Sequence, residues 1–207
     1  EMLPLSFDLG LEIGRFRRLM EEKFKAKKKK EEIFKFIDEY LYIDKKSRDA
    51  IYNYFKEMYY YIKELPTDKK IIIEHYKEEN KNYYIFHSLY GRRVNDVLSR
   101  SIGYGLKRLQ FRDMEIGVND NGFYLASTEK LKIMNAIERI HSNELEKVME
   151  NAIERTEVLS RRSRHCATRG LMILREYKGK RKRVGRQQVS SMLLLSAVKR
   201  IDNDLVF

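Results

Sequence analysis

The residues with the most distinctive chemistry form a basic cluster in the last quarter of the chain. Guanidinium groups make bidentate hydrogen bonds to phosphate and stack on bases, and ammonium groups bind phosphate as point charges. One acidic residue, Glu176, interrupts the cluster. Like charges at this density repel one another, which favours an anionic partner. A nucleic acid is the favoured partner, and a membrane surface or a merely solvated face are the alternatives. The cluster consists of Arg161, Arg162, Arg164, His165, Arg169, Lys178, Lys180, Arg181, Lys182, Arg183 and Arg186.

Two further polar segments have the chemistry to contribute to such a site. In the first, Arg92, Arg93 and Asn95 follow the end of a predicted strand and lie in the first turn of a predicted helix. Cations there lie at the positive end of the helix dipole, so a bound phosphate would reduce the electrostatic repulsion. In the second, the side-chain amides of Gln187 and Gln188 offer donors and acceptors to bases or to the backbone. A polar helix start without any ligand is the alternative for each segment.

Motifs for independent catalysis or cofactor binding are weak or missing. The Gly-Tyr-Gly at 103–105 lacks the third glycine of a dinucleotide loop, and the chain has no Gly-x-x-x-x-Gly-Lys-Ser/Thr. Residues 119–122, Asn-Asp-Asn-Gly, fit a turn better than a calcium loop, because the Glu of loop position 12 is absent. His165 and Cys166 are adjacent and therefore lie on different faces of a helix. We expect no catalytic residue, metal site or cofactor in this chain itself.

Composition and charge bound the class of protein. The 207 residues carry a formal net charge of +12 and are 43% hydrophobic, which excludes a disordered chain. Residues 151–207 hold 14 basic and 5 acidic residues, against 29 and 26 in residues 1–150. The sequence has no transmembrane run, no signal peptide and a single cysteine, so we expect a cytoplasmic protein. The chain lacks an initial Met and stops within an apolar run, which suggests a piece of a longer protein.

Periodicity and capping residues predict the elements. Apolar residues repeat at helical spacing after Ser6, which is expected to cap the first helix, and Asp44 is expected to cap the third. Period-2 alternation predicts a hairpin with a turn over residues 77–81, and a second hairpin follows with its turn at 119–122. The strands are predicted at 70–76, 83–89, 113–118 and 123–127. Further helices are predicted at about 30–42, 46–64, 92–109, 129–141 (capped by Thr128), 142–151, 152–177 and 186–201. A basic loop is predicted at 179–185, before the last helix.

This order of elements predicts an α+β fold. We expect an antiparallel sheet of two hairpins with helices packed around it, and helix-rich N- and C-terminal parts. We also expect a single domain over residues 1–207, with a helical N-terminal part at 1–66 and an α+β core at 67–207. Seven tyrosines crowd the second and third helices, where core and interface packing is a more common role than base stacking. They are Tyr40, Tyr42, Tyr52, Tyr54, Tyr59, Tyr60 and Tyr61.

Four segments carry a family resemblance. They are LPLSFDLGLEIGRFRR at 3–18, FHSLYGRRVNDVLSRSIGYGL at 86–106, VNDNGFYL at 118–125 and RRSRHCATRGLMILREYKGKRKRVGRQQVSS at 161–191. Together they resemble the DEAD/H-associated domain of Lhr-type helicases, the large helicase-related proteins of archaea and bacteria. The resemblance covers most of the chain.

The resemblance implies a superfamily 2 helicase whose RecA-like motor domains and winged helix lie upstream, with ATP and Mg²⁺ in the motor domains. It also implies that this region completes a channel for a single strand, DNA or RNA, tracked 3′-to-5′. In such channels cations follow phosphates and aromatic rings stack on bases. The candidate nucleic-acid contacts carried onto this sequence are Arg92, Arg93, Asn95, Asn119, Asn121, Arg161, Arg162, Arg164, His165, Arg169, Lys178, Arg186, Gln187 and Gln188.

The chain is therefore interpreted as an accessory nucleic-acid-binding domain of an ATP-dependent helicase, without an ATPase site of its own. The alternative is a protein-interaction scaffold whose basic face docks on acidic surfaces. A metal-dependent nuclease is disfavoured because the sequence has no carboxylate cluster. The apolar stretch around residues 193–195 is expected to pack either in the core or against another domain.

Overall fold

A computed structural model describes residues 5–110, 114–154 and 156–202. The chain divides into two compact units, Glu1–His141 (unit 1) and Ser142–Phe207 (unit 2). The boundary expected at residue 66, between a helical part and an α+β core, falls inside unit 1. The three N-terminal helices therefore share a unit with the sheet, and a single functional domain over residues 1–207 stays a prediction.

Unit 1 begins with three helices, and side-chain caps set the starts of the first and third. The side chain of Ser6 accepts a hydrogen bond from the N–H of Leu9, and that of Asp44 accepts one from Ser47, so both predicted caps are confirmed. The helices are α1 (Phe7–Lys25), α2 (Lys30–Tyr40) and α3 (Lys45–Ile62). Between them lies a core of Phe16, Met20, Ile33, Ile37, Tyr52, Phe55 and Leu65.

The tyrosines of this region divide between the core and the surface. Tyr52 is buried and Tyr59 packs beside it against the same cluster, as the sequence predicts for a core tyrosine. Five others are exposed at the surface, so interface packing stays a prediction for them. They are Tyr40, Tyr42, Tyr54, Tyr60 and Tyr61.

Both predicted hairpins form, and they join into one antiparallel sheet in the order β1-β2-β4-β3. The α+β class is thus confirmed. The first turn is tighter than the predicted 77–81, because Glu78 pairs with Lys81 and only two residues lie between them. Glu79 adopts a positive φ of 49° to close it. The strands are β1 (Ile72–Glu78), β2 (Lys81–His87), β3 (Glu115–Asn119) and β4 (Gly122–Ser127).

Helix α4 (Arg92–Gln110) packs on one face of this sheet. Phe86 and Phe123 stack at 4.3 Å between ring centroids and lie in one core with Ile102 and Leu106 of α4. This packing places the start of α4 beside the β3–β4 turn.

The helix predicted at 129–141 with a Thr128 cap is wrong in length, because only α5 (Ile133–Ile137) forms. The N–H of Leu131 donates to the Tyr84 hydroxyl at 3.0 Å, and the Leu131 side chain is buried in the core. Packing of this segment against the sheet therefore replaces the helical turn that its sequence favours.

The described residues of unit 2 form three α-helices, a 3-10 turn and a short hairpin. The helix predicted at 152–177 is interrupted, since Thr156 caps a new helix and Gly170 ends it. Leu171 then takes a positive φ of 58°, and a hairpin forms where helix and basic loop were expected. The elements are a 3-10 turn (Ser142–Glu144), α6 (Leu145–Ile153), α7 (Glu157–Arg169), β5 (Glu176–Tyr177), β6 (Lys180–Arg181) and α8 (Val184–Ile201).

Candidate nucleic-acid interface

Part of the basic cluster lines a cavity of about 420 Å³ in unit 2, which we call the basic pocket. Helix α7 supplies part of the wall, and the β5–β6 hairpin with the start of α8 supplies the rest. Five of the lining side chains are arginine or lysine. The lining residues are Arg164, His165, Thr168, Arg175, Arg181, Lys182, Arg183, Val184 and Gln187.

Hydrogen bonds to backbone carbonyls hold these elements in place around the pocket. The N–H of Lys182 donates to the carbonyl of Arg175 at 2.9 Å and closes the base of the hairpin. The side-chain amide of Gln187 donates to the carbonyl of Lys182 at 2.9 Å, which ties α8 to the hairpin. On α7, the Thr168 hydroxyl donates to the carbonyl of Arg164 at 2.7 Å. The cations thus project from a hydrogen-bonded frame.

The cations of the basic pocket have no carboxylate partner among the residues that the structure describes. An ion pair in unit 2 joins Lys199 Nζ to Glu154 Oε1 at 3.3 Å and uses no pocket residue. Arg183 is the N-cap of α8 and makes no side-chain capping bond. The positive end of that helix dipole therefore adds to the charge of the side chains. Together these features suit a phosphate.

The pocket brings together three of the predicted contacts in unit 2, Arg164, His165 and Gln187. The others lie outside its lining but remain exposed on the same elements. Arg161, Arg162 and Arg169 are exposed on α7, Arg186 and Gln188 on α8, and Lys178 at the turn of the hairpin.

Four pocket cations were not among the contacts predicted from the sequence: Arg175, Arg181, Lys182 and Arg183. Arg175 fell inside a predicted helix, and the other three were assigned to a loop. A usable signal was the Lys-Gly pair at 178–179, since both residues adopt positive φ in a two-residue hairpin turn. That turn returns the chain and places Arg175 opposite Lys182.

The predicted site at the start of α4 is arranged differently. Arg92 and Arg93 are exposed. However, the backbone N–H of Arg92 donates to Asp120 Oδ1 at 3.2 Å, so a carboxylate from the β3–β4 turn lies at the helix N-terminus. The negative group that the sequence suggested as a phosphate is supplied here by the protein itself.

Asn95 differs from the other predicted contacts because it is fully buried, at 0% exposure. Its amide nitrogen donates to the carbonyls of Ser88, Asn119 and Asp120 at 2.9–3.2 Å. Its amide oxygen accepts from the Ser88 hydroxyl at 2.7 Å. These bonds occupy its donors and join the end of β2 to the β3–β4 turn. In this conformation Asn95 is a structural clamp and has no surface to offer a strand.

Asn119 is the last residue of β3, Asn121 lies in the β3–β4 turn, and both are exposed. Asn119 Oδ1 accepts a hydrogen bond from the N–H of Asn121 at 2.9 Å, and the carbonyl of Asn121 accepts one from Ser88. Both residues therefore shape the turn, and the Asn121 side chain is exposed at the surface. Within the described ranges, no three His, Cys, Asp or Glu side chains gather as a metal site, and no helix is long and apolar enough to cross a membrane.

Residues 65–207 match the family described as DEAD/H associated. This chain belongs to the DEAD/H associated family. The ATP-dependent helicase Lhr-Core of Methanothermobacter thermautotrophicus is 45% identical over 204 residues, and that of Saccharolobus solfataricus is 40% identical over 209. Each match covers 98% of this chain and 24% of the relative. The chain thus spans about a quarter of the length of the curated relatives it matches.

A solved structure of a related fold extends this finding. The structure of Mycobacterium smegmatis helicase Lhr bound to ssDNA and AMP-PNP matches 99% of this chain and 25% of that one, with a TM-score of 0.75. At 20% identity the match shows a shared fold. The resemblance to the DEAD/H-associated region of Lhr-type helicases, inferred from four sequence segments, is confirmed.

Proposed function

We propose that this member of the DEAD/H associated family is an accessory nucleic-acid-binding domain of an Lhr-type, ATP-dependent 3′-to-5′ helicase. It binds the backbone of the tracked single strand, DNA or RNA, through basic residues of unit 2. The basic pocket carries this proposal, because five cationic side chains meet there without a carboxylate partner among the described residues. The relatives, which are named ATP-dependent helicases, and the Mycobacterium smegmatis helicase, which was solved bound to ssDNA, support the same partner class.

The mechanism in this proposal is electrostatic. Each phosphate bound by a cation releases condensed counterions, so affinity falls as salt rises. Contacts to phosphate fix the position of the strand without reading its sequence. ATP and Mg²⁺ belong, in this proposal, to RecA-like motor domains elsewhere in the longer protein. Those domains and a winged helix are the proposed partners of this chain.

A protein-interaction scaffold is the second candidate, and one observation favours it. Val189, Leu193 and Ile201 of α8 are 59%, 69% and 80% exposed, and apolar side chains at this exposure are typical of protein-binding surfaces. A scaffold of this kind ignores oligonucleotides, so a binding assay separates the two candidates.

The test compares two matched charge reversals by fluorescence anisotropy of a labelled single strand over a salt series. Lys182→Glu with Arg183→Glu changes the basic pocket, and Lys45→Glu with Lys46→Glu makes the same charge change at exposed positions of unit 1. Log K falls with log salt at a slope of about −0.7 for each phosphate contact, and we call this the salt slope. Because the pocket variant removes two cations, its salt slope is expected to be less steep by about 1.4. The unit 1 variant is expected to keep the wild-type slope. Equal losses in both variants would contradict the proposal, because they would show attraction by net charge alone.

A further inference from the structure

A second cavity of about 230 Å³ lies between α7 and α8, and it shares Arg164 with the basic pocket. We call it the side pocket. Helix α7 contributes Glu157 and Ser160 to its wall, and α8 contributes Gln188, Ser191, Met192 and Leu195. On α7, Glu157, Ser160 and Arg164 are three and then four residues apart, so they lie on one face of the helix. On α8, the residues at 191, 192 and 195 follow Gln188 by three, four and seven positions, so they also share one face.

The side pocket differs in chemistry from the basic pocket. Apart from Arg164 its lining contains no cation, and Glu157 supplies a carboxylate that only accepts hydrogen bonds. Gln188 adds an amide with both donors and an acceptor. Met192 and Leu195 add apolar surface, and a methionine thioether packs well against aromatic rings. A flat ring with a polar edge is the kind of group that such a lining accommodates.

The two cavities together have the layout of one nucleotide. Glu157 and Arg164 are seven residues apart on α7, or about 10 Å along the helix at 1.5 Å per residue. Arg164 therefore lies at the phosphate-binding end, and Glu157 lies well away from it. This separation keeps the carboxylate from repelling a phosphate bound in the basic pocket.

We infer that one nucleotide of the bound strand lies across both cavities. Its phosphate binds in the basic pocket, and its base is turned out of the strand into the side pocket, against Met192 and Leu195. Gln188 and Glu157 contact the edge of the base. This inference rests on the proposed function, and it adds a base-contacting site to what was otherwise a backbone-binding surface.

The carboxylate also predicts which bases bind best. Cytosine and adenine present an exocyclic amino donor, and guanine presents amino and ring N–H donors, all of which a carboxylate accepts. Uracil and thymine present a carbonyl oxygen where cytosine has its amino group, and their ring N3–H donor lies between two carbonyl oxygens that repel the carboxylate. The side pocket is therefore expected to favour bases that carry an exocyclic amino group.

The test measures the affinity of the 207-residue chain for oligo(dC), oligo(dU) and an abasic strand of equal length at one salt concentration. Oligo(dC) is expected to bind about 5- to 10-fold more tightly than oligo(dU), and the abasic strand most weakly. Glu157→Gln should remove the preference for oligo(dC) without changing the salt slope. Leu195→Ala should weaken both base-containing strands, whereas Leu193→Ala, at an exposed neighbouring position outside the cavity, should not.

The outcomes separate this inference from the proposed function. Equal affinity for all three strands, with a normal salt slope, would contradict base binding in the side pocket. Phosphate binding in the basic pocket would remain supported. A preference for oligo(dC) that survives Glu157→Gln also overturns it. Failure to bind any strand at low salt rejects the proposed function, and this inference with it.

Discussion

The cations of the two units are used in different ways. In unit 1 many of them have partners: Arg18 Nε lies 3.0 Å from Asp68 Oδ1, and Lys70 Nζ lies 2.7 Å from Glu21 Oε1. Others cover aromatic rings, as Lys23 Nζ does at 4.1 Å from the centre of the Phe36 ring. In unit 2 the arginines and lysines of the basic pocket meet no carboxylate among the described residues, and the cation–π contacts of the described residues all fall in unit 1.

This difference identifies the surface better than net charge does. A lysine paired with a glutamate contributes little to the field around the protein, whereas unpaired cations around one cavity add their potentials there. Many charges of unit 1 therefore stabilise its own structure. Under the proposed function, the cations of the basic pocket in unit 2 are available to an external anion. Substitutions in unit 1 should mainly change stability, and substitutions in unit 2 should mainly change binding.

The largest effect is expected at Asn95 in unit 1. Asn95→Ala leaves the carbonyls of Ser88, Asn119 and Asp120 without their shared donor and the buried Ser88 hydroxyl without its acceptor, which should lower the free energy of unfolding by about 3–4 kcal/mol. Urea unfolding followed by circular dichroism measures this loss. Strand binding of the folded fraction is expected to stay at the wild-type level. A variant with normal stability and lost binding would show instead that Asn95 contributes to strand binding.

The second-largest effect is expected in unit 2, where substitutions should lower single-strand affinity without changing stability. Changing Arg161, Arg162 and Arg164 to Glu removes three cations and should reduce single-strand affinity about 100-fold at about 50 mM salt. The melting temperature should not fall, because none of the three forms an ion pair among the described residues. Anisotropy and a thermal melt of the same sample give both values. Unchanged affinity, or a loss that follows unfolding, contradicts the assignment of this surface.

A smaller effect is expected from Glu21 as the pH falls. Burial alone would raise the pKa of Glu21, but hydrogen bonds from Lys70, Lys25 and the N–H of Leu65 outweigh it, so the pKa lies below its ordinary value. A lowered pKa gives stability that is present above about pH 4.5 and is lost as the pH falls through the pKa of the folded state. Glu21→Gln should lower the free energy of unfolding by about 2 kcal/mol at neutral pH.

The pH dependence itself supplies the control for Glu21. The variant should show a flatter decline of unfolding free energy between about pH 5 and pH 3 than the wild type, because glutamine does not titrate. Parallel declines in the two proteins would mean that other carboxylates, such as Asp68 beside Arg18, set the acid sensitivity of unit 1. Single-strand binding at neutral pH should be the same for both.

The elements that the sequence predicts well are those specified by local signals. Period-2 alternation and an Asn-Asp-Asn-Gly turn define both hairpins, and the Ser6 and Asp44 side chains cap their own helices. The helix expected after Thr128 fails because Leu131 is drawn into the core of the sheet, a distant contact. The β5–β6 hairpin has only two residues in each strand, which is too short for a period-2 alternation of apolar and polar residues to be recognised in the sequence.

The candidate site was predictable in composition more than in arrangement. Unbalanced basic residues pointed to unit 2, but their meeting around one cavity depends on how the hairpin returns beside α7. The burial of Asn95 did have a signal. Asn95 precedes Leu98, Ile102 and Leu106 by three, seven and eleven residues, which places it on the apolar face of α4. A residue on this face is expected to be buried, even though the Asn95 side chain is polar.

The most direct test of the account is the salt dependence of single-strand binding by the wild-type chain, measured by fluorescence anisotropy. If the surface neutralises about three to six phosphates, log K should fall with log salt at a slope of about −2 to −4. A slope near zero, or no binding even at low salt, would contradict the claim that the unpaired cations of unit 2 bind a nucleic-acid backbone.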